Sequence, residues 1–262
     1  MNSERWSFTQ REFRRTSAWH SRILDERRLC EIGNARPPNP IESSCRCPRR
    51  DHTVLTNGRP LLVLIEGIYD VEFLCRISAV LRRDDHAIPD LRTLEEAGCL
   101  IFVPFGGGDP GFWATRFAPM GLSEVHIYDR ETFPESRQRL AAASRVNCRP
   151  NARAFVTAHC SIENYLHPDA IESFFRIRVS CPAESSIVDA IADSLLARTC
   201  ATLDRSQLSR RGRRRLKLQI KRKLNHDVVL KMTPAMLDES DPRGEVRSWL
   251  TAIADAVGGA DC

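Results

Sequence analysis

Residues 61–81 read LLVLIEGIYDVEFLCRISAVL. The first five form an unbroken apolar run of the kind that fills a strand buried on both faces of a parallel sheet. The run stops at Glu66-Gly67, and Val71, Leu74, Ile77 and Leu81 then recur at helical spacing, predicting a helix over 70–83. The same grammar repeats downstream. CLIFV (99–103) ends at the glycine-rich PFGGGDPG (104–111), EVHIY (124–128) ends at Asp129, and RAFVT (153–157) is a fourth candidate strand. Pro134 suits the first turn of a helix running to about Val146. Strands alternating with helices predict an α/β fold, a central parallel sheet flanked by helices and joined by right-handed crossovers. In such sheets ligands bind beyond the carboxyl ends of the strands.

Outside this body the character of the chain changes. Residues 1–58 are rich in Arg and Pro, with PPNP at 37–40 and CRCPRR at 45–50, and read as a basic, partly disordered N-terminal arm with one helix near 9–30. Cys30, Cys45, Cys47 and His52 are zinc-ligand types, but the paired CxxC spacing of zinc sites is absent. Residues 59–180 are the expected catalytic domain. Residues 181–262 read as a helical C-terminal region, with helices near 183–203, 206–230 and 244–257.

Charge follows the same division. The net charge of +5 conceals a local +5 in residues 1–60 and +10 in residues 205–225, which leaves −10 for the remainder. An acidic body between basic segments points to a polyanionic partner held near an acid-lined site. Within 205–225, Leu216, Ile220, Leu224 and Val228 fall four apart and form one apolar stripe. The residues expected to meet phosphates are Arg210, Arg211, Arg213, Arg214, Arg215, Lys217, Lys221 and Arg222, with affinity that falls as salt rises. Of 39 basic residues only 4 are Lys, and Lys231 is the one lysine outside the basic run. No stretch approaches the roughly 20 apolar residues of a membrane span. The first residues lack the apolar core of a signal peptide, so ten Cys point to free thiols in the cytoplasm.

The acids sit where the fold rule directs attention. Glu66 and Asp70 follow the first strand, Asp129 and Glu131 the third, and Ser161-Ile162-Glu163 the fourth. If these strands are parallel neighbours, five carboxylates converge on one edge. Such a cluster needs compensation, and Mg2+ or Mn2+ with oxygen ligands is the usual form. Gly67 and Gly106-Gly107-Gly108 allow close backbone approach. Phosphoryl transfer is the chemistry that uses such a site. Taken singly the signals have plainer readings: Asp70 as a helix cap, Ser161 as an N-cap with Glu163 in the first turn, the glycines as a turn.

The run LLVLIEGIYDVEFL, with VPFGGGD, HIYDRE and SIENYL, resembles the Toprim domain, and within it the branch found in nucleases of the OLD (overcoming lysogenization defect) family. The resemblance covers roughly residues 60–175, with a weaker likeness toward 250. It implies a Toprim-like sheet and a magnesium-dependent site in which Glu66, Asp129 and Glu131 are metal-associated. It further implies that Asp70, Ser161 and Glu163 serve a second metal position. A C-terminal lysine that steadies the transition state corresponds, on this resemblance, to Lys231. Two features depart from the family. The commoner D-x-D is D-x-E here, which lengthens one ligand arm. No G-x-x-x-x-G-K-[ST] is present, so the ATPase half of full-length OLD proteins is missing and any ATPase would be a separate polypeptide.

The expectation is therefore a two-metal endonuclease acting on DNA, or on RNA. Glu66, Asp129, Glu131 and Lys231 would be catalytic, and Glu66, Asp70, Asp129, Glu131, Ser161 and Glu163 metal-binding. The alternatives are a non-catalytic nucleic-acid-binding or regulatory Toprim module working with a separate ATPase, a primase-like nucleotidyl transferase, and an unrelated phosphatase. Tyr69, Tyr128 and Tyr165 all lie inside the motifs, and none stands out as a topoisomerase nucleophile.

Overall fold

A computed structural model of the chain describes residues 58–180, 185–199 and 209–258. The arm at 1–57 with its expected helix, the cluster of Cys30, Cys45, Cys47 and His52, and the start of the basic run lie outside the described residues. Four strands, β1 (Leu61–Ile65), β2 (Leu100–Pro104), β3 (Glu124–Tyr128) and β4 (Ala152–Val156), form one sheet in the order β2-β1-β3-β4. Every pairing is parallel, with Ile65 opposite both Pro104 and Ile127. All five residues of β1 are buried, as a central strand covered on both faces requires.

The nine helices among the described residues are α1 (Ile68–Leu81), α2 (Leu91–Glu96), α3 (Pro110–Arg116), α4 (Glu135–Asn147), α5 (Pro168–Phe175), α6 (Ile187–Thr199), α7 (Arg210–Lys223), α8 (Pro234–Ser240) and α9 (Glu245–Gly258). The two-residue period of the strands sorts them into layers. Leu61, Val63, Ile65, Val125 and Ile127 pack with α1 and with the C-terminal helices, through residues such as Leu224, Val228, Trp249 and Ile253. Leu62, Leu64 and Tyr128 face the opposite way, onto Ala114 of α3 and Ala142, Ala143 and Val146 of α4. The C-terminal helices thus share one core with the sheet. No helix among the described residues is long and apolar enough to cross a membrane. Among the described residues Cys75 and Cys148 are free thiols.

Four short helices, α2, α3, α5 and α8, escape the sequence reading because none is long enough to display a 3.6-residue period. Three of them begin with the same local device. Asp109, His167 and Thr233 each accept a hydrogen bond from a backbone N–H of the first turn, and Pro110, Pro168 and Pro234 follow directly. The stretch read as a loop after β2 therefore becomes α3 at Pro110.

Strand β3 is less apolar than its burial implies. Glu124, His126 and Tyr128 alternate onto one face and are all buried. His126 bridges the other two, with Nε2 2.8 Å from Glu124 Oε2 and Nδ1 2.7 Å from the Tyr128 hydroxyl. Arg149 approaches the same Glu124 oxygen at 2.6 Å. Burial depresses the His126 pKa against the pull of the Glu124 carboxylate, so the folded protein holds a neutral imidazole.

Two outcomes follow for stability. Trp249 is 1% exposed and meets Tyr165 edge to face at 5.2 Å. Trp249→Ala should cost about 3–5 kcal/mol in urea unfolding. The His126 pKa is lowered on folding, so its contribution is present above about pH 6.5 and fades as the unfolded chain takes up a proton below it. Asp70 titrates in the opposite sense, so the comparison is a difference. Between pH 7.5 and 5, wild type should lose stability relative to His126→Gln by up to about 1.4 kcal/mol per pH unit.

Candidate metal centre

In the order β2-β1-β3-β4 the chain lays β2 on one side of β1 and β3 on the other, so the topological switch falls between β1 and β3. A crevice opens at such a point beyond the carboxyl ends of the strands. Glu66 is the first residue after β1 and Asp129 the first after β3. Glu131 follows two residues later in a left-handed conformation (φ 55°), held by its N–H donating to the Cys160 carbonyl at 3.1 Å. That conformation costs a non-glycine residue about 1 kcal/mol or more, a cost characteristic of functional sites. One carboxylate oxygen from each of Glu66, Asp129 and Glu131 lies within 4.8 Å of the others. An all-oxygen, all-anionic donor set of this kind suits Mg2+ or Mn2+.

The local polar accounting fits a cation. Glu66 Oε2 is buried without a hydrogen-bond partner among the described residues, and Oε1 lies 3.5 Å from the buried Arg139 guanidinium. Asp129 Oδ1 accepts from the Ile162 N–H at 2.9 Å. Burial, followed by repulsion from Asp70, Glu163 and Glu66, holds the Asp129 pKa well above the usual carboxylate range. Burial and Glu66 likewise raise Glu131. Gly107 makes the arrangement sterically possible. Its φ is +70°, and a Cβ there would stand 3.0 Å from Glu66 Oε1.

Asp70 and Glu163, expected as ligands of a second metal, share an ammonium. Lys221 Nζ lies 3.2 Å from Glu163 Oε1 and 3.8 Å from Asp70 Oδ1. Asp70 also performs the capping role open to it, since its Oδ2 accepts from the Gly67 N–H at 2.7 Å. Burial, then Glu163 and Glu66, push its pKa up to about 7 against Lys221 and that N–H. Desolvation alone would lower the Lys221 pKa, but Glu163, Asp70 and Asp129 overcome it and raise it. Ser161 lines the adjacent cleft, and its hydroxyl is 3.0 Å from Asn164 Oδ1.

Lys231, the lysine expected here, is exposed in a short 3-10 turn after α7 and forms no ion pair with any of these acids. Lys221 stands in its place because the apolar stripe of α7 docks as expected. Ile220, Leu224 and Val228 are buried, and Leu216 packs against the core. Docking that stripe carries residue 221 inward beside Ile220. Sequence reasoning also missed Asn225, which is fully buried and donates to Glu163 Oε1 at 2.8 Å. It sits in a π-helical turn, Leu224–Val228, that continues α7. The available signal was an Asn four residues after Lys221 beside the apolar stripe. Arg139 had no such signal.

The predicted phosphate-binding residues divide by helix face. Arg210, Arg213, Arg214, Lys217 and Lys221 line a cleft of about 480 Å³ whose other wall includes Asp129, Glu131, Cys160 and Ser161. Lys217 is committed to Asp189 at 2.8 Å, and Lys221 to Glu163 and Asp70. Arg211, Arg215 and Arg222 are exposed on other faces and do not line the cleft.

No family model matches the chain, and no curated protein matches it. Among solved structures it is similar to the C-terminal region of the Xanthomonas campestris pv. campestris OLD protein. The structure phased with iodine aligns with a TM-score of 0.45 and 14% identity over 76% of this chain and 95% of that one. The structure phased with platinum aligns at 0.43 and 14%, over 76% and 93%.

Gly107→Ala tests the close approach to Glu66. The added methyl and the positive φ should displace the carboxylate and weaken Mn2+ binding roughly 10- to 100-fold, as loss of a supporting contact does. Titration calorimetry reads this, and an unchanged far-UV circular dichroism spectrum would show that the fold persists.

Proposed function

We propose that this chain is a metal-dependent phosphodiesterase acting on DNA or RNA, with DNA as the expected substrate. The observation that carries the reading is a juxtaposition: Asp129 and Glu131, whose carboxylates cluster with that of Glu66, line the same cleft as Arg210, Arg213 and Arg214. Acids alone would support a metal site of any purpose, and arginines alone would support a solvated helix. Together across one cleft they match a phosphate diester, which needs cations on both sides of its charge.

Glu66, Asp129 and Glu131 would hold Mg2+ or Mn2+. Bound there, such an ion neutralises phosphate charge, lowers the pKa of a coordinated water and stabilises the leaving oxygen. Arg210, Arg213 and Arg214 would hold the flanking phosphates by charge-assisted hydrogen bonds and so set the register of the strand. Lys221 brings a second fixed positive charge to the cluster, between Asp70 and Glu163, where the sequence led us to expect a second metal. It would offset charge developing on the phosphate, the role expected of Lys231 or of an arginine of the basic run. Ser161 would orient water at the cleft wall. Asn225 and Arg139 are positioning residues, acting through Glu163 and Glu66.

Supercoiled plasmid, single-stranded DNA and RNA incubated with manganese test the reading directly. Cleavage should fall roughly 100-fold or more in Glu66→Gln and Asp129→Asn, a loss comparable to removing one transition-state contact. Binding of DNA in chelator should be retained in both. Lys221→Met should lose cleavage to a similar degree, whereas Lys231→Met should cut like the parent. A parent protein that binds DNA but cuts none of the three substrates with either metal would leave a binding module as the function.

A further inference from the structure

Aromatic rings rarely stand free in water, because a fully buried Phe side chain contributes about 1.5–3 kcal/mol relative to an exposed one. Phe133 is 70% exposed and lies two residues after Glu131, a span of at most about 7 Å of chain. The guanidinium of Arg137 stands over its ring at 5.2 Å. Helix α3 repeats the arrangement. Phe112 on α3 is 53% exposed, with the Arg116 guanidinium 5.5 Å from its ring centre. Gly111 of α3 meets the last turn of α4, with 3.3 Å from its would-be Cβ to Arg145 Nη1, at the end of that helix away from Phe133.

Each ring lies close in sequence to a turn of the candidate metal centre. Phe133 follows the Asp129–Glu131 turn. Phe112 follows the Gly106–Gly108 turn whose middle glycine touches Glu66. Each offers a π-face beside a cation, the pairing that single-strand binding surfaces use to hold a base and its phosphate together. A duplex keeps its bases stacked on one another and offers a protein chiefly phosphates, which arginines alone would meet. An exposed ring two residues after Glu131 therefore favours a substrate with free base faces.

We propose that Phe133, with Arg137 over its ring, is a stacking platform for one base of an unpaired nucleic-acid strand. This rests on the nuclease reading for where the strand runs, past Glu66, Asp129 and Glu131, and adds the substrate class: single-stranded or locally unpaired nucleic acid.

Fluorescence anisotropy in chelator tests it with three labelled probes: an oligo-dT, an abasic oligonucleotide of the same length, and a duplex. The full chain should bind oligo-dT more tightly than the abasic strand by roughly 5- to 100-fold, the range of one stacked base. It should also bind oligo-dT more tightly than the duplex. Phe133→Ala should collapse the preference for bases while leaving abasic affinity unchanged, and Phe133→Trp should restore it. Equal binding of oligo-dT and abasic strand by wild type, tighter binding of the duplex, or a base preference that survives in Phe133→Ala would each overturn the platform. The two readings fail separately. A protein that shows the base preference but cuts nothing with manganese loses the nuclease function and keeps the platform. One that cuts all substrates without a base preference does the reverse.

Discussion

The ammonium of Lys221 lies among Glu163, Asp70 and Asp129, three buried carboxylates at the carboxyl edge of the sheet. An isolated buried carboxylate costs several kcal/mol even after relaxation, and neighbouring carboxylates multiply that cost by repulsion. Lys221 offsets it from the side of Asp70 and Glu163, and the Arg139 guanidinium does so from the side of Glu66. Between these two cations the oxygens of Glu66, Asp129 and Glu131 remain grouped, which is where a divalent ion would complete the neutralisation. The helix that carries Lys221 is consequently part of the centre and cannot be an appendage to it.

That dependence accounts for how the C-terminal helices are arranged. Ile220, Leu224 and Val228 anchor α7 and the turn after it in the core shared by α1 and the sheet. The π-helical turn at Leu224–Val228 brings Asn225 onto the carboxylate that Lys221 already holds. On the same helix Arg210, Arg213 and Arg214 line the cleft, while Arg211, Arg215 and Arg222 do not. A single helix thus sets Lys221 among the acids and lines the cleft with Arg210, Arg213 and Arg214.

Much of the fold was legible because its signals are local. Five consecutive apolar residues mark β1, and the spacing of Val71, Leu74, Ile77 and Leu81 marks α1. The short helices were not legible by periodicity, although Asp109-Pro110 and Thr233-Pro234 carried capping chemistry that could have found them. The polar chain along β3 was invisible for another reason. EVHIY reads as an apolar strand, and only the tertiary fold shows that Glu124, His126 and Tyr128 are buried together and satisfy one another.

For the candidate site the same boundary applies. The sequence by itself determined which acids stand at strand ends, since a strand terminates where its apolar run terminates, and Glu66, Asp129 and Glu131 are read directly from that. It determined the apolar stripe of α7 and hence which face docks. Only the tertiary structure decided that Lys221, and not Lys231, meets Asp70 and Glu163, and that Arg139 reaches Glu66. Those contacts join residues separated by 58 to 151 positions, and their pairing depends on strand order and on how far each helix slides over the sheet. Periodicity reports which side of an element is buried. It carries no information about which buried side it will meet.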